Sequence, residues 1–152
     1  MSQTSDPQAG MSVIVKTISR LVASFILLFG IYIVLYGHIT PGGGFAGGVI
    51  AASGLVLMLL AFGRQVVFDF AGERSPKIWD SLGALAFLLI AVAGYFGGSF
   101  FSNLFAKGEP FRLLSAGTIP LSNIAIGVKV SAGLFGVYLA LAMFRPAGRS
   151  GG

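Results

Sequence analysis

Lys129 is the residue of this chain best placed to do chemistry, because it is a lone cation inside a long apolar run. It stands ten residues after Ile119 and fifteen before Phe144. In a helix rising about 1.5 Å per residue, that puts it roughly 15 Å from the nearer end. A lysine stem covers only a few ångströms, so snorkelling does not carry the ammonium to water. A charge at the centre of a bilayer costs about 2.5–3.5 kcal/mol even on the lenient insertion scale. Lys129 therefore needs a counter-charge, a polar cavity, or loss of its proton. All five acids fall in the termini or between the apolar runs, which predicts a partner on another chain. Two roles fit this residue: a static interchain ion pair, or a station in a proton or cation relay. Asn123, Gly127 and Ser131 follow at helical spacing as a small polar stripe, and Asn123 joins Lys129 as an ion-path candidate.

The other unusual segment is Gly37-His38-Ile39-Thr40-Pro41-Gly42-Gly43-Gly44-Phe45-Ala46-Gly47-Gly48. Gly42, Gly44 and Gly47 satisfy the G-x-G-x-x-G spacing of a dinucleotide loop. That motif needs a βαβ unit and an acid about 20 positions on, whereas Phe62 stands at that position here. No Gly-Lys-Ser/Thr follows, so a phosphate loop fails as well. Pro41 ends a helix, and the glycines allow positive φ and close backbone approach. Gly43 with Gly47, and Gly44 with Gly48, are Gly-x-x-x-Gly pairs that let a second helix pack closely in lipid. The bland reading is a tight turn and packing face. The sharper one is a broken helix whose backbone and His38 line an ion or water path.

The elements that must position these residues are membrane spans. The chain is 55% hydrophobic and 10% charged, with mean hydropathy +0.90; an ordinary soluble domain carries about 25% charged residues. Four apolar runs are predicted as spans: 17–36, 45–62, 81–101 and 119–144. The polar connection 63–80 separates the second from the third, and a loop over 102–118 precedes the fourth. Continuous rather than alternating apolar runs predict an all-α polytopic bundle, not a barrel. A polar N-terminus (1–15) and a Gly/Ser tail (145–152) flank a membrane domain at 16–144. No small-x-small cleavage site follows the first run, so it reads as a retained span. Tyr32, Tyr36 and Tyr95 read as lipid-facing or interfacial, and Trp79 as an interfacial anchor.

With four spans, Lys16, Arg20, Arg64, Arg74, Lys77, Arg145 and Arg149 share one side, against Lys107 and Arg112 on the other. That imbalance predicts both termini in the cytoplasm. The net charge of +5 is spread between spans and forms no nucleic-acid stripe. Cysteine is absent and His38 is the only histidine, which excludes disulfides, thiolate metal sites and bis-histidine haem. No acid pair or nucleophile–base set lies inside the spans. The sequence predicts no catalytic residues, metal or cofactor.

The glycine segment is similar to the signature of the MnhB/MrpB family, small membrane subunits of Mrp-type multisubunit Na⁺/H⁺ antiporters. The same module is shared with membrane-bound hydrogenase and ferredoxin- or sulfur-linked complexes. His38, Pro41, Gly42, Gly43, Gly44, Phe45, Gly47 and Gly48 match that motif. The step Ser115-Ala116-Gly117-Thr118 and the four spans fit as well, over about residues 16–144. The resemblance implies a small subunit in a large membrane assembly moving Na⁺ and H⁺, whose bigger subunits carry the main relays. It implies other membrane subunits as partners, in a lipid setting. The stretch Ile119 to Lys129 looks closer to the hydrogenase-like branch, so the parent complex stays open between the two.

Overall fold

The computed structural model describes residues 12–39, 41–63, 75–97 and 117–143. Four helices account for nearly all of them: α1 Val13–Tyr36, α2 Gly43–Phe62, α3 Ser75–Ala93 and α4 Ile119–Met143. A short 3₁₀ turn, Gly94–Gly97, extends α3. Each helix, α3 counted with its 3₁₀ extension, is long and apolar enough to cross a membrane. The described residues form the all-α, four-span protein that the sequence predicts. Thr40, the connections 64–74 and 98–116, and both terminal segments lie outside the described residues, as do Lys107, Arg112, Arg145 and Arg149.

The helix boundaries follow from local chemistry. Pro41 and Gly42 separate α1 from α2, and Gly42 sits at φ 126°, a conformation that side chains resist. At its far end α2 stops at Gly63, φ 83°, whose N–H donates to the Leu59 carbonyl at 3.0 Å. Serine and threonine hydroxyls inside the spans are returned to their own helix. Thr17 donates to the Val13 carbonyl, Ser24 to Arg20, Ser53 to Ile50 and Ser122 to Thr118, at 2.7–3.1 Å. That is how a hydroxyl is satisfied where no water reaches.

The helices do not close into a symmetrical bundle. α2 packs between α1 and α4, and α3 packs mainly on α4. The contacts are made by small residues. Ala23, Ala52, Ala61, Ala91, Ala125 and Ala132 are buried, and only Leu59, Phe135 and Leu139 form a buried cluster of larger side chains. Large apolar side chains such as Phe25, Leu28, Leu85, Leu89 and Leu141 point outward. This inverts the soluble pattern, as expected where the solvent is hydrocarbon and close backbone approach drives helix association.

The start of α3 differs from the sequence expectation, and it changes the site. The sequence predicts a third span from Ser81, with 63–80 as a polar connection. The helix begins six residues earlier, at Ser75, with Pro76 in its first turn. Proline is well tolerated there, because its missing N–H has no helical acceptor to lose. Lys77 and Asp80 therefore belong to the helix. A hydropathy boundary stops at the first charged residue; the backbone does not.

Candidate functional site

The site is built on the α3–α4 contact. Gly83 of α3 lies against α4 so closely that an added Cβ would stand 2.8 Å from the Lys129 backbone nitrogen and 2.9 Å from the Ala125 carbonyl oxygen. One turn away, an added Cβ on Gly133 would stand 3.3 Å from Asp80 Oδ1. Two glycines, one on each helix, thus bring the side chains of Asp80 and Lys129 together. Lys129 Nζ donates to Asp80 Oδ1 at 2.9 Å.

This corrects the expectation that Lys129 must find its counter-charge on another chain. Asp80 is not a loop residue. It faces Gly133, ten residues before the end of α4, and lies five residues, about 8 Å, inside the start of α3. A mutual ion pair with a shared hydrogen bond is what lets two charges sit inside a span. The pair is not sealed inside the chain, since the Lys129 and Asp80 side chains keep 47% and 38% of their surface. In hydrocarbon such exposure calls for a covering surface or a watered cavity.

His38 and Asn123 are brought together at a different place. The Asn123 carboxamide enters the turn between α1 and α2. An added Cβ on Gly37 would lie 3.0 Å from Asn123 Nδ2, and one on Gly43 would lie 3.5 Å from Asn123 Oδ1. His38 is half-buried in the same turn, where Ile39 N–H donates to the Tyr36 carbonyl. Among the described residues Asn123 Nδ2 is buried with no hydrogen-bond partner, so it is a donor held ready in the turn. Six residues, about 9 Å of rise, separate Asn123 from Lys129 on α4, and their side chains leave on different faces. The sequence-predicted ion path is therefore two polar places, not one cluster.

The motif glycines act as packing positions within this chain. Gly44 meets the backbone of Asn123, and a Cβ on Gly48 would lie 2.8 Å from the Gly127 carbonyl oxygen. Gly47 turns to α1, where its Cβ would lie 2.7 Å from the Gly30 carbonyl oxygen. The two Gly-x-x-x-Gly pairs thus seat α2 between α1 and α4. Gly43 contributes by conformation, at φ 61°. Pro41 and Phe45 are exposed, Phe45 to 65%, so this motif phenylalanine is free to meet lipid or another chain. Ser131 and Gly127 of the same stripe line a groove between α1 and α3. Tyr32, half-exposed, stacks on Tyr36 with ring centroids 4.9 Å apart. Among the described residues no group of three or more His, Asp or Glu could hold a metal.

Asp80 is the partner of Lys129 that sequence reasoning missed. The available signal was Ser75-Pro76, a helix start five residues before the acid.

With this geometry in view, the comparisons with known proteins are specific. Residues 14–136 match the model of a domain related to the MnhB subunit of Na⁺/H⁺ antiporters. An uncharacterised protein of Methanocaldococcus jannaschii is 39% identical over 80% of this chain and 48% of its own length. A Staphylococcus saprophyticus protein carrying the antiporter subunit name mnhB2 is 36% identical over 75% of this chain and 79% of its own. The Staphylococcus aureus counterpart is 33% identical over 91% and 96%. Among solved structures, a chain of the membrane-bound sulfane sulfur reductase, an archaeal respiratory membrane complex, superposes with TM-score 0.72 at 32% identity. That match covers 90% of this chain and 60% of the other. The chain thus spans about half to three-fifths of its archaeal relatives and most of the staphylococcal ones.

Proposed function

Since the chain belongs to the family of the MnhB subunit of Na⁺/H⁺ antiporters, we propose that it is a membrane subunit of a multisubunit monovalent cation/proton antiporter and takes part in charge movement. The observation that carries this reading is the Asp80–Lys129 pair, held at 2.9 Å between two spans and open on one side. Its exposed side leaves the pair within reach of an arriving ion. An open pair can exchange its partner: a proton or cation arriving at Asp80 frees Lys129 to release its own charge onward. The antiport chemistry needs such a carrier of alternating charge, and lysine supplies it because its proton can leave.

The partners in this reading are other membrane subunits of the same complex, which leave the exposed side of the pair facing a watered path. Na⁺ and H⁺ are the transported ions, and redox chemistry belongs to other subunits. Replacing both charges with neutral isosteres tests the role. Asp80→Asn with Lys129→Gln is expected to leave the complex assembled, because no lone charge remains. Na⁺-driven proton movement in everted vesicles is expected to fall at least about tenfold, equivalent to roughly 1.4 kcal/mol. Undiminished exchange would reduce the chain to a packing subunit.

The excess of basic residues on one side supports a cell-membrane protein with both termini in the cytoplasm. Because the chain has no cysteine, single cysteines report this cleanly. Ser5→Cys is expected to react only with reagent supplied to the cytoplasmic face, and Lys107→Cys only from outside. Labelling of both from one face would reject the arrangement.

A second reading has its own observation, the likeness to a chain of an archaeal respiratory complex. In that case the same pair would serve the membrane arm of a redox-driven complex. Mass spectrometry of the native assembly separates the two, since only the second contains subunits with redox centres.

A further inference from the structure

α3 packs mainly on α4, which leaves a groove of about 800 Å³ with α1 and α3 as walls and α2 and α4 as floor. Its sides are aliphatic, with Leu27, Val34, Leu55 and Met58 among them. Lys129 and Asp80 do not line it, so it is separate from the ion pair. On α1 the lining runs from Arg20 to Leu35, about 22 Å of helix axis. That length and the aliphatic lining suit flexible hydrocarbon chains.

One end of the groove is polar in a particular way. Arg20 stands there with its guanidinium carbon 5.2 Å from the centroid of the Phe62 ring. Stacking uses the face of the guanidinium and leaves its edge N–H donors available. Among the described residues no carboxylate pairs with Arg20, and no acid lines the groove. Ser75 and Trp79, at the start of α3, complete this end. Tryptophan is a residue of the headgroup level. A cation at the mouth, an indole beside it and hydrocarbon walls beyond are complementary to an anionic amphiphile. In the proposed topology this end faces the cytoplasmic leaflet, where anionic lipids concentrate.

We propose that the groove between α1 and α3 is a binding site for a phospholipid with an anionic head group, whose phosphate is held by Arg20 and whose acyl chains lie along Leu27, Val34 and Leu55. The site does not depend on the antiport reading. A lipid in this position would complete the side of the bundle that α3 leaves open, and would fix the spacing of α1 and α3.

The test uses the intact complex, purified and washed in detergent, with retained lipid identified by mass spectrometry. The wild-type complex is expected to keep an anionic phospholipid through washing. Arg20→Gln is expected to weaken that retention at least about tenfold, the effect of losing a charge-assisted contact. Arg20→Lys keeps the charge and is expected to retain the lipid, which guards against a folding defect in the first variant. A photoreactive amino acid replacing Leu55, on the groove floor, is expected to capture lipid. Retention of neutral lipid only, retention unaffected by Arg20→Gln, or capture at residue 55 of a protein subunit would each overturn the proposal.

Discussion

Gly48→Leu is expected to strip this subunit from its complex, and the reason is local. A Cβ at Gly48 would stand 2.8 Å from the Gly127 carbonyl oxygen and 2.9 Å from Val130 Cβ. Real Cβ atoms do not sit that close to backbone, so α2 and α4 must move apart. Forcing extra methylenes into a packed contact costs about 1–3 kcal/mol even when side chains can yield. Here the obstacle is a carbonyl of the facing helix, which cannot rotate away. Separating α2 from α4 also displaces Gly44 from the backbone of Asn123 and so disturbs the turn that holds His38. Gly48→Ala should show the same effect in weaker form. Gly136→Ala is the matched control, because its Cβ would meet Pro76 at an ordinary 3.5 Å. Native gels of the solubilised complex read the outcome: Gly48→Leu absent from the assembly and Gly136→Ala present. Normal incorporation of Gly48→Leu would mean that α2 does not seat against α4 as described.

The second large effect concerns a charge left alone. Lys129→Leu removes the counter-charge of Asp80 and leaves a lone carboxylate five residues inside α3. An acid costs about 2.5–3.5 kcal/mol at the centre of a span and less toward its end, so a loss of about one order of magnitude in assembly, roughly 1.4 kcal/mol, is the expected scale. Water reaching the pair contributes to that reduction, since more than a third of both side chains is exposed. The change is therefore expected to cut assembled subunit about tenfold. Adding Asp80→Leu is expected to restore assembly, because a hydrophobic pair in lipid needs no neutralisation. The rescue is the informative half of the experiment. A subunit that assembles equally well with either single change would show that another chain neutralises the remaining charge, and the two residues would not be a pair.

The family motif and the four spans were legible in the sequence because each rests on local signals. Pro41 followed by three glycines announces a break, and the apolar runs are continuous. The packing role of Gly44, Gly47 and Gly48 was legible too, from spacing alone. Which helices they meet was not, since Gly44 and Gly48 turn to α4 and Gly47 to α1. Neighbours on one helix can serve two partners, and spacing does not say so. Asp80 was illegible for a related reason. A charged residue next to a polar connection is assigned to that connection by hydropathy, although Ser75 and Pro76 signal an earlier helix start. Its partner lies forty-nine positions away, and only the packing of Gly83 against Lys129 sets the register. The groove between α1 and α3 left no local trace either, because it follows from the packing of α3 on α4.

A lysine that moves charge must be able to lose its proton, whereas one that only balances Asp80 need not, and Lys129→Arg separates the two. Arginine keeps the positive charge and the bond to Asp80, so the complex should assemble as in the wild type. Its guanidinium does not give up a proton in proteins, so a relay through this position stops. Na⁺/H⁺ exchange measured in vesicles of the assembled complex is predicted to fall at least about tenfold. Exchange at the wild-type rate with arginine in place would make the Asp80–Lys129 pair a fixed structural link.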